Sequence, residues 1–212
     1  MLERLLLSAA LAVLVSPVPA AAANAVLART SLSKAGPQKV LLPGTGFVVD
    51  PDAPPVPARS ADAQRALMAA LVHWLAQNFA LPKSDEYPSV QLASTAKITT
   101  FRFTGRLSDR PQDRAAVPPA QREVVAAYDP AHHTIYLPAG WTGRSAAELS
   151  VLVHELVHHL QQLASTRHEC PQAAEDLAYE AQERWLRLFG RSLESDFAID
   201  PFTRLVSTRC LY

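Results

Sequence analysis

The chain has 212 residues, with 20 lysines and arginines against 20 aspartates and glutamates, so its formal net charge is zero. This balance argues against a nucleic-acid-binding protein, because such a protein needs a positive surface to release counterions from phosphates. A hydrophobic fraction of 49% is typical of a globular chain, and the length suffices for one domain with a sizeable core.

The N-terminus has the pattern of an export signal. Arg4 supplies a positive charge, a short apolar run follows, and the small residues at 20–25 offer cleavage sites near Ala23 or Ala25. We therefore predict a signal peptide over residues 1–23 and a secreted or periplasmic protein. The apolar run is shorter than the roughly 20 residues that cross a bilayer, so we expect no stable membrane span.

The next segment is rich in proline. Residues 50–57 contain four prolines, which favours a semi-rigid spacer, while 39–42 and 47–49 are candidate short strands. We interpret residues 24–59 as an N-terminal extension and linker, with a pro-region over a cleft as the alternative. The folded domain is then predicted to span residues 60–212.

The middle of the chain mixes helix and strand patterns. Ser60 can cap a helix whose apolar residues recur at steps of three and four until Pro82. Residues 97–105 alternate apolar side chains with threonine and arginine, which predicts a strand. Residues 123–128 and 134–138 read as two strands joined by a turn.

The last third is predicted to be helical. Ser145 and Glu148 form a capping box that starts a helix running to about Ala164. A second helix is predicted over residues 171–189, with proline at its start and glycine after its end. The tail, residues 196–212, is expected to fold back onto the domain.

The two cysteines, Cys170 and Cys210, both lie in the predicted domain. An oxidising compartment favours a disulfide between them, and closing a loop of that length stabilises a fold by roughly 4 kcal/mol in the chain-entropy treatment. Two unpaired buried thiols are the alternative. A zinc site built from both is disfavoured, because neither belongs to a C-x-x-C pair.

The segment His154-Glu155-Leu156-Val157-His158 is an H-E-x-x-H motif on the first of these helices. Histidines at positions i and i+4 lie on one face of a helix, where both imidazoles can bind one zinc ion. Glu155 lies beside that face and can act as general base toward a water molecule at the metal. The alternative is a solvated helix face that happens to carry histidines.

Catalytic zinc usually has three protein ligands, so one more is needed. A third histidine ten residues after the first is ruled out, because that position is Ala164. A carboxylate of the following helix is the remaining source, and the candidates there are Glu175, Asp176, Glu180 and Glu183.

The motif, followed by Glu175-Asp176-Leu177-Ala178-Tyr179, resembles the gluzincin branch of zinc metallopeptidases. It is also similar to small exported bacterial proteins with uncharacterised zincin-like domains. The resemblance implies an α+β, zincin-like fold, in which a small antiparallel sheet or hairpin packs on the H-E-x-x-H helix and a following glutamate-bearing helix. It implies one zinc ion with Glu175 as third ligand. Tyr179 stands where thermolysin-type members have aspartate, so Glu180 stays open as the alternative ligand.

The function that this resemblance implies is zinc-dependent hydrolysis of a peptide or protein substrate. Tyr179 is the first candidate for the donor that stabilises the transition state, with Tyr128, His159 and Tyr212 as alternatives. The strand at 134–137 is a candidate edge for pairing with an extended peptide. Other hypotheses are a hydrolase of cell-wall cross-link peptides and a zinc-binding, non-catalytic structural or interaction module of the cell envelope. The presence of Glu155 favours the enzyme.

Overall fold

The computed structural model describes residues 39–117 and 124–210. The predicted signal peptide, residues 1–23, lies outside the described residues. The strands are β1 (Val40–Leu41), β2 (Val48–Val49), β3 (Ser89–Ala93), β4 (Ala127–Asp129) and β5 (Thr134–Pro138). The α-helices are α1 (Ala61–Asn78), α2 (Thr95–Thr104), α3 (Pro111–Ala115), α4 (Ala146–Leu163), α5 (Ala174–Arg187), α6 (Leu193–Phe197) and α7 (Pro201–Thr208). Short 3-10 turns cover Val56–Ala58 and Pro171–Ala173. The predicted α+β class is confirmed.

The larger sheet has the order β3-β5-β4. The predicted hairpin is present, since β4 and β5 are antiparallel. The sheet is mixed, however, because β3 pairs in parallel with β5, and so the expectation of a purely antiparallel sheet is wrong. Strand β5 is central in this sheet, and the interpretation of residues 134–137 as an edge strand is therefore also wrong.

The predicted strand at 97–105 is a helix, α2. The Ser94 hydroxyl accepts a hydrogen bond from the backbone N–H of Lys97, which caps the start of the helix. Gly105 ends it in the left-handed conformation, with a φ of 67°. The threonines of α2 favour strands by propensity, yet two of them bond within the helix, as when Thr100 donates to the carbonyl of Ala96. Caps at both ends, together with tertiary packing, outweigh that propensity.

Helix α4 lies in the middle of the core. Leu152, Leu156 and Leu160 are almost fully buried at steps of four residues. The rings of Trp74 from α1 and Trp185 from α5 meet edge to face with their centroids 5.5 Å apart. Helices α1 and α5 thus contact each other, and both also pack against the helix that carries the H-E-x-x-H motif.

The two faces of the larger sheet pack against different helices. Ile135 and Leu137 of β5 belong to the same core as α4, whereas Tyr136 points to the other face and contacts Phe101 of α2, with ring centroids 5.0 Å apart. Alternate residues of a strand point to opposite faces, which explains this division. Helices α2 and α4 thus cover opposite sides of the sheet.

The proline-rich segment contacts the turn that precedes α4. Val56 is buried, and its N–H donates to the carbonyl of Thr142 at 2.7 Å. The Arg144 side chain donates to the carbonyl of Pro51 at 3.0 Å. Residues 39–59, for which the sequence suggests a linker, thus pack on the start of the motif helix.

The tail folds back onto the domain as predicted. A disulfide joins Cys170 to Cys210, and Arg204 of α7 forms an ion pair of 3.0 Å with Asp176 of α5. Among the described residues, no helix has the combination of length and apolarity that crossing a bilayer would require.

Candidate metal centre

The motif helix begins with the predicted capping box. The Ser145 hydroxyl accepts from the N–H of Glu148, and the Glu148 carboxylate accepts from the N–H of Ser145. The same carboxylate also accepts from the backbone and the hydroxyl of Thr142. This anchor fixes the start of α4 and hence the direction in which its histidines point.

Helix α5 lies close against α4. Ala178 and Ala181 are fully buried between them, and their small side chains allow a close approach. At the start of α4, the Trp185 indole donates to the carbonyl of Ala146 at 2.9 Å. The first turn of α5, which carries Glu175, therefore lies beside the face of α4 that carries the motif.

The side chains of His154, His158 and Glu175 converge. Glu175 Oε2 lies 3.1 Å from His154 Nε2 and 3.4 Å from His158 Nε2. Ligand atoms of a tetrahedral zinc site with bonds near 2.0 Å are separated by about 3.3 Å. One atom from each residue can be chosen so that all three lie within 4.8 Å of one another, and the set could hold a metal ion.

The other predicted carboxylates are placed elsewhere. Asp176 pairs with Arg204, and Glu183 accepts from Arg187 and from the N–H of Leu193. Glu180 is exposed on α5. The structure thus brings Glu175, and none of these three alternatives, to the histidines.

Arg102 of α2 also reaches this centre. Its guanidinium lies 3.2 Å from Glu175 Oε1, the carboxylate oxygen turned away from the histidine contacts, and its side chain is half exposed. Sequence analysis does not find this residue, because the prediction for its segment is a strand. Its contact leaves Oε2 as the oxygen that faces His154 and His158.

The Nδ1 atom of each of these two histidines faces the side-chain oxygen of a glutamine. Gln182 Oε1 lies 3.1 Å from His154 Nδ1, and Gln161 Oε1 lies 3.1 Å from His158 Nδ1. Both glutamines are buried. Gln161 lies one turn after His158 on the same helix, so helical phase could have placed it there, whereas the position of Gln182 depends on how α5 packs on α4.

Glu175 and His158 shift each other's pKa. Burial by itself raises the pKa of the Glu175 carboxyl, but its contacts with His154 and His158 outweigh burial and hold the pKa well below the usual range. Burial lowers the pKa of His158, yet its contact with Glu175 and the charge of Glu155 raise it above the ordinary value overall. The Glu175 carboxyl is therefore ionised, which is the form of a carboxyl group that can bind a cation.

Glu155 is buried beside the histidines, with 6% of its surface exposed. Burial raises the pKa of its carboxyl above the ordinary value, although the neighbouring histidines act in the opposite direction. A raised pKa suits a group that accepts a proton and later returns it.

Of the candidate transition-state donors, Tyr179 lies at the centre. Its ring meets that of His154 edge to face with centroids 4.9 Å apart, and burial raises the pKa of its hydroxyl, which keeps it protonated. The Tyr128 hydroxyl and His159 Nδ1 form a hydrogen bond of 3.0 Å, and His159 Nε2 donates to the carbonyl of Glu86. Tyr212 lies outside the described residues.

Comparison with known proteins gives one match. The family model DUF6647, described as a domain of unknown function, matches residues 60–200, which is more than half of the chain. No curated protein and no solved structure matches the chain.

Proposed function

The chain belongs to the DUF6647 family, and we propose that it is a zinc-dependent metallopeptidase of the gluzincin type that acts outside the cytoplasm. The observation that carries the proposal is the convergence of His154, His158 and Glu175, with contacts of 3.1 and 3.4 Å, beside the buried carboxyl of Glu155. Two imidazole nitrogens and one carboxylate oxygen are a ligand set typical of catalytic zinc.

The chemistry follows from the residues around this set. Zinc bound there would polarise the scissile carbonyl and acidify a water molecule. As the oxygen of the attacking water bonds to the carbonyl carbon, Glu155 accepts a proton from that water. The same carboxyl then gives the proton to the leaving nitrogen as the C–N bond breaks. Tyr179 donates a hydrogen bond to the carbonyl oxygen as negative charge develops on it.

The sheet edge that we propose for the substrate is that of β4. Helix α2 follows β3 in the chain and packs on β5 and β4. Near the C-terminal end of α2, Arg102 contacts Glu175. From this path we infer that the outer edge of β4 lies on the side of the metal ligands. Within the described residues that edge has no strand partner, so an extended peptide could pair with it.

The disulfide supports a location outside the cytoplasm. Disulfides persist in secreted and periplasmic proteins and are rare in the reducing cytosol. The signal peptide predicted from the sequence is part of the same proposal.

Substitution of the third ligand tests the metal site. We expect Glu175→Ala to lose bound zinc, because two imidazoles alone hold the ion weakly. Glu180→Ala is the matched control, since Glu180 is an exposed glutamate of the same helix, and it should keep wild-type zinc. Zinc per chain, measured by plasma mass spectrometry on folded protein, gives the answer; zinc retained in Glu175→Ala would refute this ligand set.

Substitution of the general base separates the enzyme from a zinc-binding module. Glu155→Gln should keep zinc but lower the hydrolysis of a mixed peptide library by a factor of about 10² to 10⁴. Cleavage products are counted by mass spectrometry. If wild type binds zinc and the two proteins give the same products at the same rate, the catalytic part of the proposal is wrong and the non-catalytic module is favoured.

A further inference from the structure

We propose that Gln182 and Gln161 are positioning residues that fix the tautomers of His154 and His158, so that both Nε2 atoms offer lone pairs to the metal. The inference rests on the proposed function for the identity of the ion, and it deepens that function by explaining how the histidines are held ready. Its physical basis is the difference between the two ends of an amide: the oxygen only accepts hydrogen bonds and the nitrogen only donates them.

A chain of three hydrogen bonds orients Gln182. The Ser150 hydroxyl donates to the carbonyl of Ala147 at 2.7 Å, which leaves its oxygen lone pairs as acceptors. Gln182 Nε2 donates to that oxygen at 3.2 Å. The amide oxygen of Gln182 is thereby turned to His154 Nδ1, which must carry the hydrogen because Oε1 cannot donate. In the neutral imidazole of His154, Nε2 then has the lone pair.

Gln161 holds His158 in the same way. Its Nε2 donates to the carbonyl of Ala174 at 3.1 Å, an oxygen that only accepts. Its Oε1 therefore faces His158 Nδ1, and the hydrogen of that imidazole lies on Nδ1. Ala174 is the residue before Glu175, so this glutamine also ties the second histidine to the backbone beside the third ligand.

The two amides cross the same interface in opposite directions. Gln182 extends from α5 to a histidine of α4, and Gln161 extends from α4 to the backbone of α5. A glutamate at either position could accept from a histidine but could not donate to Ser150 or to Ala174. An amide is the side chain that does both, and it adds no charge next to the metal ligands.

The first test is the tautomer state of wild-type protein. The zinc-loaded protein, labelled with ¹⁵N-histidine, gives long-range ¹H–¹⁵N correlations that distinguish Nδ1–H from Nε2–H. Zinc is needed because, without it, Glu175 Oε2 lies 3.1 Å from His154 Nε2 and 3.4 Å from His158 Nε2 and favours a hydrogen on those atoms. We expect Nδ1–H at both His154 and His158. Nε2–H at both positions would overturn the proposal, and this result depends on no variant.

The second test removes each amide in turn. Gln182→Met should remove the hydrogen bond at His154 Nδ1, and Gln161→Met that at His158 Nδ1. Each change should shift the corresponding Nδ1–H signal and weaken zinc affinity by about 10- to 100-fold in a chelator competition. Gln162→Met and Gln172→Met are matched controls at exposed positions and should change neither readout. Circular dichroism shows whether each variant is folded.

The outcomes separate this proposal from the proposed function. Unchanged Nδ1–H signals and zinc affinity within about twofold of wild type in both folded variants would overturn the role of the glutamines. A wild type that binds zinc with Nδ1–H at both histidines, loses affinity in both variants and hydrolyses no peptide would support the positioning role and refute the metallopeptidase.

Discussion

The two carboxylate oxygens of Glu175 have different neighbours. Oε2 faces both histidines, whereas Oε1 accepts from the guanidinium of Arg102 at 3.2 Å. A carboxylate held at its outer oxygen presents the inner one in a fixed direction, as the partners of metal ligands generally do. Arg102 therefore contributes to the centre although it contacts neither histidine.

We expect Arg102→Met to weaken zinc binding by about tenfold, the lower end of the range for such partners, because the contact is half exposed to solvent. Arg106→Met is the control, since Arg106 is exposed just after the same helix. Competition with a coloured chelator measures both affinities. Equal affinities of the two variants would show that Arg102 does not orient Glu175.

At the scale of elements, the start of α4 depends on one carboxylate. Burial by itself raises the pKa of Glu148, but the hydrogen bonds from Thr142 and Ser145 outweigh it and leave the pKa below its ordinary value. A depressed pKa in the folded state means that the ionised form stabilises the fold. That stabilisation is present above the unfolded-state pKa and is lost as the pH falls through the folded-state pKa.

Glu148→Gln should accordingly lower the free energy of unfolding by about 2 kcal/mol at neutral pH, because an amide cannot accept from all of these donors. The difference from wild type should shrink as the pH falls from neutral to below the ordinary pKa of a glutamate, since the folded-state pKa of Glu148 is lower still. Urea unfolding of both proteins across this range measures it, with Glu180→Gln as the exposed control. A difference that stays constant with pH would contradict the assignment.

The sequence predicts elements where local signals agree. The caps at Ser60 and Ser145 correspond to helices α1 and α4, and the second strand of the predicted strand-turn-strand pattern corresponds to β5. Strand β3 is not predicted, because Val90 and Leu92 are its only large apolar side chains and a run of five residues is a weak signal by itself; its pairing with β5 is a tertiary contact. The predicted strand at 97–105 is wrong, because the caps at Ser94 and Gly105 stabilise a helix despite the β-favouring side chains between them.

The part of the site that depends on local sequence signals was predictable, and the part that depends on tertiary packing was not. His154, Glu155 and His158 form a motif that short-range helix geometry explains, and the resemblance and helical phase selected Glu175 from the following helix. Gln182 and Arg102 come from elements whose place beside the motif depends on tertiary packing. No spacing in the sequence records that packing.

At the scale of the whole molecule, the disulfide connects the tail to the segment before α5, the helix that carries Glu175. Cys170 lies five residues before Glu175, and Cys210 follows α7, which packs on α5. The sequence separation of 40 gives an expected stabilisation of roughly 4 kcal/mol in the chain-entropy treatment.

We expect the double variant Cys170→Ser/Cys210→Ser to unfold at lower urea concentration, by roughly 2 to 4 kcal/mol in the free energy of unfolding. Wild type treated with a reductant should behave in the same way, whereas the reductant should not affect the variant. Equal stability of oxidised and reduced wild type would contradict a stabilising disulfide.

The central claim is that His154, His158 and Glu175 hold one zinc ion, and the most direct test is the zinc content of purified, folded protein prepared without chelators. We predict about one zinc per chain in wild type and in Glu155→Gln, and none in His158→Ala or Glu175→Ala. A folded wild-type protein that takes up no zinc, even when zinc is added back, would contradict the claim and with it the proposed metallopeptidase.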